Sequence, residues 1–67
     1  MKTGTVKHWN RQRGFGFIRT DQGEEFFAHA TCLMLARDFL DVGEAVIFET
    51  EPSERGGERA INVELAG

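Results

Sequence analysis

The sequence predicts an all-β fold, a small closed barrel of five strands. Three observations predict it. Runs of alternating polar and apolar residues recur along most of the chain. Turn-forming residues separate them at Asn10–Gly14, Asp21–Gly23 and Pro52–Gly57. The chain has only 67 residues, enough for one domain, and an open sheet of five short strands would leave exposed edges that closure removes.

The first strand is expected over residues 3–10, where Thr5, Lys7 and Trp9 alternate with Val6, His8 and Asn10. Residues 10–14 are polar and end in glycine, so they read as a turn. The second strand covers 15–20. Its alternation places Phe15, Phe17 and Arg19 on one face and Gly14, Gly16 and Ile18 on the other. Asp21-Gln22-Gly23 between two aromatic runs indicates a hairpin into a third strand over 25–30. There Glu25, Phe27 and His29 oppose Phe26, Ala28 and Ala30.

Residues 31–44 break the alternation. Thr31 can cap a helical turn, and Leu33, Arg37 and Leu40 follow helical spacing. A short helical turn and a connecting loop are expected, with Leu33 and Leu40 buried; the alternative is a helix of about two turns. The fourth strand spans 45–51, and the fifth spans 58–65 with Ile61, Val63 and Leu65 in register. The expected core is Val6, Ile18, Phe26, Ala28, Leu33, Val46, Phe48 and Val63.

That core leaves Phe15, Phe17, Phe27 and His29 facing outward. The competing arrangement turns the two glycine-flanked rings inward and Ile18 to water. It loses because the barrel is already filled, and four rings on one outer face form a patch of the kind that binds something. Rings flanked by guanidinium groups suit stacked bases and a phosphate backbone.

The formal net charge of −3 speaks against a nucleic-acid partner until its distribution is read. Residues 1–20 hold Lys2, Lys7, Arg11, Arg13 and Arg19 and no acid, a local +5. Residues 21–67 hold eleven acids against Arg37, Arg55 and Arg59, a local −8. One basic face on an acidic body is the expected outcome. No apolar run approaches the ~20 residues needed to span a bilayer, and the first residues lack the apolar stretch of a signal peptide. A lone Cys32 fits a reducing cytoplasm.

Arg13-Gly14-Phe15-Gly16-Phe17-Ile18, with Phe26-Phe27-Ala28-His29, resembles the two RNA-binding motifs of the bacterial cold-shock protein family. Gly4-Thr5-Val6-Lys7-His8-Trp9-Asn10 resembles that family's first strand, and Gly43-Glu44 and Asn62-Val63 match later landmarks. The likeness covers nearly the whole chain. It implies a five-stranded antiparallel barrel of the OB type. It implies binding of single-stranded RNA or DNA, pyrimidine-rich by preference, and a role as RNA chaperone or transcription antiterminator. The family pattern carries over at Lys7, Asn10, Arg13, Phe15, Phe17, Phe27 and His29. It departs at His8, where the family usually has a stacking Trp, and at Ala30, where it has another aromatic. One residue of the following loop is missing, and an expected aromatic falls near Arg37 or Phe39.

Each base–aromatic stack is worth about 1–3 kcal/mol, so two absent rings weaken binding by roughly one to four decades. Trp9 takes the stacking position if the first strand alternates plainly. A bulge in that strand exchanges Trp9 for His8 and leaves Trp9 half-buried at the rim. Arg11 is expected to meet phosphates, and Arg37 can stack by its planar guanidinium. The expected nucleic-acid interface is thus Lys7, His8, Trp9, Asn10, Arg11, Arg13, Phe15, Phe17, Phe27, His29 and Arg37.

Other function classes fare worse. An RRM needs a strand and helix ahead of its aromatic motif, and only twelve residues precede this one. Gly14-Phe15-Gly16 lacks the third glycine and following helix of a dinucleotide site. His8, His29 and Cys32 are the only obvious base and nucleophile candidates, and two ligands make no zinc site. No catalysis, metal or cofactor is expected, and a monomer is favoured over a dimer. The remaining alternative is a barrel whose ring patch docks a protein partner or a second copy.

Overall fold

A computed structural model describes residues 1–54 and 56–66. Five strands, β1 (Lys2–Asn10), β2 (Phe15–Thr20), β3 (Glu25–His29), β4 (Ala45–Pro52) and β5 (Glu58–Leu65), close into a barrel in the order β1-β2-β3-β5-β4. β1 pairs with both β2 and β4, which closes the wall. The barrel is mixed rather than wholly antiparallel: β3 and β5 run parallel through Phe27–Arg59 and Ala28–Ala60. A tight hairpin can join only antiparallel neighbours, and β3 reaches β5 through residues 30–57, which include all of β4.

The core consists of Val6, Ile18, Phe26, Ala28, Leu40, Val46, Phe48, Ala60 and Val63. Fully burying a side chain the size of Ile18 or Phe48 contributes about 1.5–3 kcal/mol. Leu33, expected in this set, is half-buried and packs against its edge, while Leu40 fills the interior as expected. Ile61 and Leu65 do not join Val63. Asn62 adopts φ 51°, and the β4–β5 register shifts between Ile47 and Glu49. β5 there carries one residue more than β4, so Ala60 and Val63 both point inward although three positions apart. Asparagine tolerates that left-handed backbone better than most residues.

The predicted helical turn is a single 3-10 turn, Ala30–Cys32, so β3 ends at His29 rather than at residue 30. Its cap is His29, not Thr31: the Thr31 N–H donates to His29 Nδ1 at 3.2 Å. Residues 33–44 form no helix. They are tied to the barrel by a Leu33–Val63 bridge and by the Met34 N–H donating to the Val63 carbonyl at 2.8 Å. Arg37 closes the loop with two hydrogen bonds to the Glu44 carboxylate, at 2.7 and 2.5 Å.

Candidate nucleic-acid interface

The β2–β3 register places Phe15 beside His29 and Phe17 beside Phe27. Residues between them, Gly16, Ile18, Phe26 and Ala28, are buried, so the four rings share the outer face. They are contiguous. Phe27 lies 5.5 Å from Phe15, 5.9 Å from Phe17 and 6.5 Å from His29, centroid to centroid. Phe17 is 39% exposed; the other three are half-buried by one another and by the sheet. The ring planes are inclined, by 32° between Phe15 and Phe27 and by 73° between Phe17 and Phe27. Bases lying on such rings cannot stay parallel to each other, which a duplex requires.

β1 supplies the platform's other flank. Its pairing with β2 shifts between Val6 and His8. Val6 opposes Ile18, both inside, and His8 opposes Phe17, both outside, so Lys7 is the extra residue of a bulge. Lys7 and His8 are therefore exposed in succession. The next pair, Trp9 with Gly16, faces inward. Of the two arrangements open for the first strand, the bulged one is present, and Trp9 packs against the core from the rim. Its Nε1 is buried without a hydrogen-bond partner. Gly16 makes that packing possible: a Cβ there would lie 2.0 Å from the His8 carbonyl oxygen and 2.6 Å from Trp9 Cε3.

The backbone carbonyl of Asn10 accepts from Gly14 N–H at 2.8 Å. Its side-chain Oδ1 accepts from the N–H groups of Gln12 and Arg13 at 3.0 and 3.1 Å. Gly14 completes this turn at φ 72°, where a side chain is disfavoured. The turn carries Arg11 and Arg13 outward. Arg11 lies over the Phe39 ring at 3.8 Å, and Arg37 over the same ring at 4.9 Å. Arg37 is thus committed to Glu44, Asp41 and Phe39, in the loop rather than on the platform. Hydrogen bonds from the Asp41 N–H and from Arg37 hold the Glu44 carboxyl below the usual range.

Thr31 fixes the His29 ring. A backbone N–H can only donate, so Nδ1 must accept from it, and the proton of the neutral ring sits on Nε2. Thr31 Oγ1 lies 3.0 Å from the same nitrogen.

Charge pairing is uneven among the described cations. Arg37 and Arg59 are ion-paired to their own neighbours, Glu44 and Glu51, and Lys2 lies 3.7 Å from Glu24. Among the described residues, no ion pair involves Lys7, Arg11, Arg13 or Arg19. Arg19 and Phe39 stand outside the expected interface. Arg19 was legible as the next outward residue after Phe15 and Phe17. The Arg11–Phe39 contact joins two loops distant in sequence and had no local signal.

The family model described as "'Cold-shock' DNA-binding domain" matches residues 2–66. The chain is 39% identical over 64 residues to the "Major cold shock protein" of Streptococcus pyogenes serotype M6, covering 94% of each chain. It is 39% identical over 67 residues to "Cold shock protein CspC" of Bacillus subtilis, covering 98% of this chain and all of that one. To "Cold shock-like protein CspLB" of Listeria monocytogenes it is 41% identical over 58 residues, covering 84% and 86%. With the barrel, the ring platform and these matches together, the chain belongs to the cold-shock domain family of nucleic-acid-binding proteins.

Proposed function

We propose that the protein binds single-stranded RNA or DNA, stacking bases on Phe15, Phe17 and Phe27 with His8 and His29 at the flanks. Lys7, Arg11 and Arg13 meet the phosphates. The observation that carries this reading is a contiguous outer ring cluster beside cations, Lys7, Arg11 and Arg13, that no ion pair among the described residues engages. Aromatic faces accept every base, so sequence discrimination is shallow; the resemblance adds a preference for pyrimidine-rich strands. Trp9, Asn10 and Arg37 act from behind: Trp9 props β2 through Gly16, Asn10 shapes the turn bearing Arg11 and Arg13, and Arg37 anchors the loop. A protein that holds unpaired bases weakly and without strong sequence choice serves as an RNA chaperone or antiterminator, here as a cytoplasmic monomer.

Fluorescence anisotropy of labelled oligo-dT, oligo-dA and a duplex tests it. Micromolar or weaker binding to oligo-dT is expected, less to oligo-dA and little to duplex. Phe15→Ala and Phe27→Ala should each weaken oligo-dT binding by about 5- to 150-fold and keep the β-sheet circular dichroism. Equal binding to duplex contradicts the stacking mechanism. Variants that unfold would mean that the rings serve as core. Salt-insensitive association would favour apolar docking of a protein partner instead.

A further inference from the structure

We propose that Arg19 and Lys7 form a phosphodiester-binding site that extends the bound strand beyond Phe17, a deepening that rests on the single-strand reading above. The two residues line a shallow depression of about 270 Å³ with Thr5, Thr20, Asp21 and Gly23. Arg19 lies two residues past Phe17 on the same face of β2, about 7 Å further along the strand. In the sheet it sits between Thr5 of β1 and Glu25 of β3. The bulge delivers Lys7 to the same depression while His8 goes to the platform.

The site has donors and charge to offer. Neither cation is ion-paired among the described residues, although Asp21 lines the depression and Glu25 flanks Arg19. Glu24, next in sequence to the lining Gly23, is engaged by Lys2. Thr20 Oγ1 accepts from the Glu24 N–H at 3.2 Å, so its own O–H remains free to donate. A guanidinium, an ammonium and a hydroxyl converging on an open depression suit a phosphate oxygen cluster. The depression continues the ring row instead of standing apart from it. A strand stacked on Phe15, Phe27 and Phe17 therefore meets it with its next phosphate.

Two measurements test the site. The first is the salt dependence of labelled oligo-dT binding. Each phosphate neutralised on a single strand contributes about 0.7 to the log–log slope. Arg19→Gln and Lys7→Gln should each flatten the slope by up to about 0.7, and Asp21→Asn should tighten binding. An Arg19→Gln slope equal to the wild type overturns the proposal. The second is an amide chemical-shift titration with an abasic oligodeoxynucleotide, which carries the backbone without bases, and in parallel with inorganic phosphate. The abasic strand should shift Thr5, Lys7, Arg19 and Thr20 in the wild type and not in Arg19→Gln. No shift there overturns the site. An equal response to inorganic phosphate at the same phosphorus concentration overturns its assignment to a nucleic-acid backbone. Shifts by the abasic strand, with oligo-dT binding that Phe15→Ala and Phe27→Ala leave unchanged, would retire the stacking reading and leave the anion site standing.

Discussion

His8 and Trp9 are neighbours in the chain and face opposite sides of the barrel wall, and this decides which ring is open to solvent. His8 is exposed opposite Phe17; Trp9 is wedged over Gly16. An imidazole is a smaller stacking surface than an indole. His8→Trp should therefore tighten oligo-dT binding, by up to the worth of one stack, about 1–3 kcal/mol or 5- to 150-fold, read by the same anisotropy titration. An unchanged affinity would mean that bases do not visit that position. At this scale the sequence was informative wherever alternation ran undisturbed. Phe15, Phe17, Phe27 and His29 were legible because β2 and β3 pair without a shift. The His8–Trp9 choice was not, because both residues are aromatic and only the position of one extra residue separates the two outcomes.

Bulges and loop ties are properties of elements. A period of two assumes that every residue is paired, and an inserted one reverses the direction of all that follow. Lys7 in β1 gave no hint of its insertion; Asn62 in β5 did, as a residue that accepts a left-handed backbone, yet Ile61-Asn62-Val63 reads as ordinary alternation. Gly16 is the element-scale consequence of the β1 bulge. Gly16→Ala places a methyl against backbone and should cost at least about 3 kcal/mol, the upper range for overpacking. In a domain this size that lowers Tm by roughly 12–24 °C, measured by circular dichroism. The 33–44 loop makes a pH prediction. The Glu44 carboxyl is held below its usual range by the Asp41 N–H and by Arg37. Its contribution is complete above the ordinary glutamate range and is lost as pH falls below that range, through the depressed value. Glu44→Gln should lower Tm at neutral pH and narrow the gap to wild type as the solution is acidified. A gap that widens with acid would contradict the assignment.

At the scale of the whole molecule, closure and charge polarity act together. The all-β class and five strands were legible from turn spacing. The parallel β3–β5 contact was not, because strand order is set by which edges meet after folding, and no local pattern encodes it. Charge segregation in sequence survives in space as a difference in pairing: Arg37 and Arg59 are consumed internally, whereas among the described residues no ion pair involves Lys7, Arg11, Arg13 or Arg19. Three to four phosphates engaged by Lys7, Arg11, Arg13 and Arg19 give a log–log salt slope of about −2 to −3 for a single strand. A slope near zero would mean that the barrel recognises something uncharged.

The most direct test is to map where a short oligo-dT touches the protein, by titrating it into isotopically labelled protein and following every backbone amide. The largest shifts should fall on β2 and β3 at Phe15, Phe17, Phe27 and His29, and on β1 at Lys7 and His8, with β4 and the outer positions of β5 unmoved. Shifts centred on β4 and β5, or none at concentrations well above micromolar, would contradict the account.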